Sequence, residues 1–308
     1  MIELQPDLEL TVEHAERLLA AWLGRPVSCS GVHALKGGLV NSVFRIDVDR
    51  PPHRAVVKIR RPEAGAFSDE AAALEFLRSE TNCPVPRVHL HDDRADLIDH
   101  AFLLLEHVDG ACLANVELTA DERTDLDRQL ADVLADLHGH TSDHYGRIAA
   151  PDLGRPWGDL VAARLREARR YPALSERLPG SVLADVDVAI ANVPAILADA
   201  GTPTLIHADV WEGNTMVRRD DDRWRIAALV DPDLQYADPE MELAYLEVFD
   251  HDRSELFETY AARRPLREGY ERRRRCYWLY TALIHVGLFG DEFFCDYTAR
   301  IAAEVAAG

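Results

Sequence analysis

Leu205-Ile206-His207-Ala208-Asp209-Val210-Trp211-Glu212-Gly213-Asn214, followed after a charged hairpin by Ala228-Leu229-Val230-Asp231, is the stretch that decides the fold. His207, Asp209 and Asn214 stand in the H-x-D-x-x-x-x-N spacing of a phosphoryl-transfer loop. Asp231 closes a short apolar run, Ile226 to Val230, that reads as a buried strand. Phosphoryl transfer is mostly positioning plus charge stabilisation, so it needs groups that hold magnesium on phosphates and orient one hydroxyl. Asp209 would take that hydroxyl's proton, and Asn214 and Asp231 would give oxygens to the metal. Any one of these residues alone could cap a turn. As a set, with a second acid at strand distance, they read as a kinase active site.

Composition sets the outer limits. A chain of 308 residues with 47% hydrophobic residues can bury a large core or two compact domains. No apolar run approaches the roughly 20 residues of a membrane span. The start, Met1-Ile2-Glu3-Leu4-Gln5, lacks a charged-then-apolar leader. Five cysteines, odd in number and never in C-x-x-C spacing, argue against a disulfide framework or zinc and fit a reducing cytoplasm. Asp and Glu outnumber Lys and Arg 54 to 34, a formal charge of −20 that repels nucleic acid. The same charge would attract a cationic, amine-bearing sugar, or simply serve solubility. The basic run Arg272 to Arg275 reads as a solvated helix face.

Before the catalytic stretch lie strands. Thr11 to Leu23 has the periodicity of an amphipathic helix, and Val27 to Leu35 opens strand territory. Gly37 and Gly38 then let the backbone approach phosphates, or make a plain hairpin turn. Ala55-Val56-Val57-Lys58-Ile59 is an apolar strand with one lysine, which must find a partner if buried. On a phosphate-gripping strand that partner is a glutamate of the next helix, here Ala66 to Ser79, with Glu70 first and Glu75 second. Ala101 to Glu106 is another buried strand and breaks at His107-Val108-Asp109-Gly110. The backbone of Glu106 to Val108 would pair with adenine, and the domain boundary falls near Gly110.

Beyond it the texture is helical. Thr119-Ala120-Asp121-Glu122 is a capping box, followed by a stripe of Leu126, Leu130, Val133, Leu134 and Leu137. His138 at that helix's end reads as structural, stabilised by the helix dipole. Helices are expected over 157–170, 182–198, 240–249, 254–262, 266–289 and 293–307, with a hairpin around Asp220-Asp221-Asp222. Strands first, then helices, predicts an α+β two-lobed kinase-like fold: residues 1–109 a nucleotide-binding lobe, 110–308 a mostly helical lobe.

The segment His207 to Asn214 resembles the H-G-D-L-W-x-G-N signature of the fructosamine kinase (ketosamine 3-kinase) family, within the aminoglycoside phosphotransferase and protein-kinase-like superfamily. The resemblance extends to Gly37-Gly38 with Asn41, to Lys58, to Asp231-Pro232 and to Tyr236 through Ala244. It also takes in the helical end, Tyr277 to Gly290. It implies ATP and Mg2+ as co-reactants, Asp209 as base, Asn214 and Asp231 as metal ligands, and Lys58 on the phosphates. The implied acceptor is a sugar hydroxyl of a ketosamine. Trp211 would stack on a sugar or pack its loop, and Glu212 would meet an amine or serve nothing. Ala208 stands where the family has glycine, Pro239 where it has arginine and Glu242 where it has aspartate. Three readings stay open: a ketosamine kinase, a kinase for another hydroxylated amine such as an aminoglycoside, and a silent nucleotide-binding protein. Asp231-Pro232 is not D-F-G, which sets the chain apart from protein kinases.

Overall fold

The computed structural model describes residues 8–35, 41–61, 66–249 and 253–308. Packing groups residues 2–126 with 212–232 in one compact unit, and 127–211 with 233–308 in another. The change of texture at Gly110 is a different cut. The hairpin after the catalytic loop packs with N-terminal segments: Met216 and Val217 pair with Cys112 and Ala111, and Leu229 N–H donates to the Pro84 carbonyl at 2.8 Å.

In the first unit a five-stranded antiparallel sheet is built from β1 (Cys29–Leu35), β2 (Ser42–Val48), β3 (Arg54–Arg60), β4 (Val88–Asp92) and β5 (Ala101–Glu106), in the order β1-β2-β3-β5-β4. The alternation of β3 decides what it presents. Ala55, Val57 and Ile59 are fully buried on one face, with Leu18 and Leu19 of α1 (Val12–Leu23) in the same core. The period of two turns Lys58 to the opposite face. Helix α1 starts where Thr11 Oγ1 accepts the His14 N–H, and ends at Gly24, whose φ of 66° suits only a residue without Cβ strain. Helix α2 (Ser68–Glu80) follows, and a second sheet pairs β6 (Ala111–Cys112), β10 (Thr215–Asp220) and β11 (Arg223–Leu229).

The second unit carries a small sheet of β7 (Tyr145–Arg147), β8 (Ala150–Asp152), β9 (Thr204–Ile206) and β12 (Gln235–Ala237). Its helices are α4 (Trp157–Ala168), α5 (Pro172–Arg177), α6 (Gly180–Ile196), α7 (Glu240–Phe249), α8 (Ser254–Arg263), α9 (Tyr270–Phe289) and α10 (Glu292–Ala307). Trp157, Leu165, Val193, Leu283 and Ile301 belong to their common core. Helix α3 (Ala120–Leu137) runs through the boundary at 126–127. Its capping box forms as expected: Glu122 accepts the Thr119 N–H at 2.9 Å while Thr119 Oγ1 accepts the Glu122 N–H.

Two expectations are corrected. The helix expected from Leu266 begins at Tyr270, because Gly269 takes φ 82° and breaks the run. The Arg272–Arg275 cluster is not wholly a solvated face. Arg273 is buried in a two-pronged ion pair with Glu240, at 2.6 and 2.8 Å, and Arg274 stacks over Trp278 while bonding Glu247. Among the described residues no helix is long and apolar enough to cross a membrane.

Candidate active site

Lys58 is 5% exposed, so its ammonium has left water and must be paired. Glu70 of α2 provides an oxygen 2.6 Å from Nζ, and Asp231 provides a second ion-pair partner. Glu75, the other glutamate considered, is exposed. Asp231 adopts φ 59°, a left-handed conformation costly for a residue with Cβ. Its Oδ1 is shut off from solvent against Lys58, while the side chain as a whole is 42% exposed. Asn214 is 7% exposed, and its carbonyl accepts the Val230 N–H at 2.9 Å, which ties the loop to the residue before Asp231. An amide and a partly open carboxylate make a hard oxygen donor set that suits Mg2+, which keeps several non-protein ligands. Among the described residues no group of three His, Cys, Asp or Glu forms a closed metal cage.

Asp209 lies in the other compact unit and is held differently. Tyr245 of α7 donates its phenol to Asp209 Oδ1 at 2.7 Å. Burial, and then the Asp209 charge, push the Tyr245 pKa far up, so the phenol stays a donor. The loop is held through its backbone: Glu242 is fully buried and accepts the N–H of His207 at 3.2 Å and of Ala208 at 2.6 Å. Ala208 has φ 68°, so the position where the family has glycine does demand a left-handed backbone. His138 Nε2 donates to Glu242 at 2.9 Å, and its Nδ1 meets the Tyr260 hydroxyl at 2.7 Å. Burial alone would raise the Glu242 pKa; the His138 hydrogen bond and charge, His207 and the Ala208 N–H outweigh it and hold it below its ordinary value. His138 is therefore structural, as its sequence position at the end of α3 indicates, and a buried carboxylate holds it.

The remaining predicted residues fall as follows. Gly37 and Gly38 lie outside the described residues. Glu106 ends β5, its N–H donating to the Arg87 carbonyl at 2.8 Å and its carboxylate accepting the Arg87 N–H. Glu106 to Asp109 border a cavity of about 490 Å³ that neither Lys58 nor Asp231 lines. Trp211 is half-buried, and Glu212 forms an ion pair with Arg123. Sequence reasoning missed Tyr245, whose only local signal is a place one helical turn after Glu242, and Arg123, which gave none.

The chain is similar to known proteins over most of its length. A Synechocystis sp. relative bearing the name Probable ketoamine kinase is 27% identical over 281 residues, 88% of each chain. A solved chain from Haemophilus somnus 129PT named for fructosamine-3-kinase superposes with TM-score 0.75 at 19% identity, covering 94% of this chain and 96% of that one. Aminoglycoside phosphotransferase APH(4)-Ia gives TM-score 0.70 at 16% identity, covering 96% and 99%. At such identities the two structures speak to the fold alone, and it is the kinase-like one. With the Fructosamine kinase model matching residues 11–157 and 164–306, the chain belongs to the fructosamine kinase family and is a small-molecule phosphotransferase with a hydroxyl acceptor.

Proposed function

We propose that the chain transfers the γ-phosphoryl group of ATP to a sugar hydroxyl of a ketosamine, the adduct of a sugar with an amine. The observation that carries the kinase reading is the buried Lys58 held between Glu70 and Asp231. Family membership and the relatives' names support the ketosamine acceptor. An aminoglycoside phosphotransferase of the same fold, solved with ADP and hygromycin B, supports nucleotide binding and keeps an aminoglycoside acceptor as the second reading.

In this reading bound Mg-ATP supplies the transferable phosphoryl group and neutralises charge on its oxygens. Lys58 exchanges Asp231 for phosphate oxygens while Glu70 keeps it aligned. Asn214 and Asp231 would hold the metal, and the backbone of Glu106 to Val108 would meet adenine. Asp209, oriented by Tyr245, accepts the acceptor hydroxyl's proton. The functional division is then 1–109 for nucleotide and 110–308 for catalysis and acceptor. Trp211 faces the sugar in this scheme, whereas Glu212, already paired with Arg123, is a poorer partner for an amine.

A mass-shift screen with Mg-ATP tests the reading. The panel holds fructosyl and ribulosyl amines, aminoglycosides and plain sugars, with Asp209→Asn as the blank. Phosphorylation of the ketosamines is the expected result. Phosphorylation of an aminoglycoside alone would move the acceptor to the second class, and silence across the panel with ATP bound would end the ketosamine assignment.

A further inference from the structure

The second unit contains a cavity of about 510 Å³ between β7–β8, α4, α9 and the segment after Asp231, within the size range of small-molecule pockets. One wall is tied to the catalytic loop: Asp233 lines the cavity, and its N–H donates to the His207 carbonyl at 3.0 Å. Three arginines line it too. Arg147 is paired with Asp233 at 2.9 Å and Arg155 with Asp152 at 2.7 Å. Arg164 differs. Its guanidinium forms no hydrogen bond or ion pair with any described residue, its carbon only stacking 5.4 Å from the Trp157 ring. Glu167, also on the lining, is exposed and does not pair with it.

Burial lowers the Arg164 pKa, with Tyr280 and Asp233 acting the other way, yet a guanidinium stays charged in a protein. The Arg164 guanidinium is partly buried, and Asp233, the carboxylate acting on it across the cavity, is already paired with Arg147, so the acid of a ligand can complete its hydrogen bonds. Tyr280, on the same cavity, likewise has no hydrogen-bond partner among the described residues, and burial raises its pKa, so its phenol remains a donor. A planar guanidinium fork and a phenol O–H converge on one chemistry, a carboxylate.

We propose that this cavity takes an acidic group of the acceptor, with Arg164 and Tyr280 donating to its carboxylate, so that the substrates are sugar adducts of amino acids rather than of simple amines. The inference rests on the ketosamine reading above and narrows it. It also qualifies the net charge of −20, since the overall field favours cations while this cavity selects an anion.

Calorimetric titration with the fructose adduct of glycine and with that of glycinamide, which differ only in the acid, tests it without nucleotide or turnover. The acid should bind about tenfold or more tightly, the scale of a charge-assisted hydrogen bond. Arg164→Gln should bring the two affinities together, and Arg164→Lys should restore part of the preference, melting curves checking that both variants fold. Equal affinities in the wild type, or a preference that survives Arg164→Gln, would overturn the proposal while phosphorylation of both adducts left the kinase reading standing. If neither adduct binds or is phosphorylated, the inference and the ketosamine reading fall together.

Discussion

Lys58 is held by two carboxylates, whereas Asp209 is held by a phenol and, through the backbone of its loop, by a buried glutamate. The first arrangement is a cluster of opposite charges, one of them, Asp231, still 42% exposed. Such a cluster can trade a partner for an incoming phosphate at little cost, because each charge only changes counter-ion. The second is a network of directed hydrogen bonds whose inner members, Glu242 and His138, are fully buried, while Asp209 and Tyr245 are partly open. It cannot trade partners without leaving an unsatisfied buried group. The lysine end is thus a cluster of exchangeable charges, and the aspartate end a set of directed bonds.

The sharpest way to break that comparison is to remove each charge in turn. Asp209→Asn should lower kcat by about 100-fold or more with nucleotide affinity nearly retained, as expected for a lost proton acceptor. Lys58→Ala should instead weaken nucleotide binding at least about tenfold, since a charge-assisted contact is lost and two carboxylates are left facing each other. Nucleotide titration beside steady-state kinetics separates the two. An unchanged kcat/KM in Lys58→Ala would sink its assignment.

Next in size is Glu242→Gln. Weakening the fully buried, charged acceptor of His138 and of the His207 and Ala208 N–H groups should cost about 1.5–3 kcal/mol, read by urea unfolding at neutral pH. The pH dependence has a definite sign. The folded pKa of Glu242 is below its ordinary value of 4.5, so its contribution is present above that value and lost as pH falls through the lower folded one. The gap between variant and wild type should therefore narrow only below about pH 4.5. A gap that stayed constant down to acid unfolding would deny the charge any part in holding the loop.

Tyr245→Phe probes the orientation of Asp209 alone. A loss of about three- to tenfold in kcat is expected, on the scale of one hydrogen bond, with the acid limb of the kcat profile moved to higher pH as the carboxylate loses a donor. A fall in activity with no movement of that limb would make Tyr245 a packing residue. The smallest effect should come from Ala208→Gly, which relieves a left-handed backbone and gains about 0.5–1 kcal/mol in denaturant unfolding.

Much of this molecule was readable without coordinates. The period of two in Ala55 to Ile59 places Lys58 opposite the buried face, and Thr119 with Glu122 starts α3, because strand alternation and caps are set within a few residues. The H-x-D-x-x-x-x-N spacing and Asp231 single out the candidate site before any fold is known. What remained hidden depends on groups far apart in the chain. Tyr245 reaches Asp209 across 36 positions, Glu242 meets His138 across 104, and Arg123 meets Glu212 across 89. Arg273 looks solvated in a run of arginines until Glu240, 33 residues away, is folded against it. Local pattern in the chain sets the chemistry on offer, the residue types and their order. Which charges neutralise one another and which, like Arg164, face a cavity follows from folding, because pairing is a matter of distance and burial that no local pattern encodes.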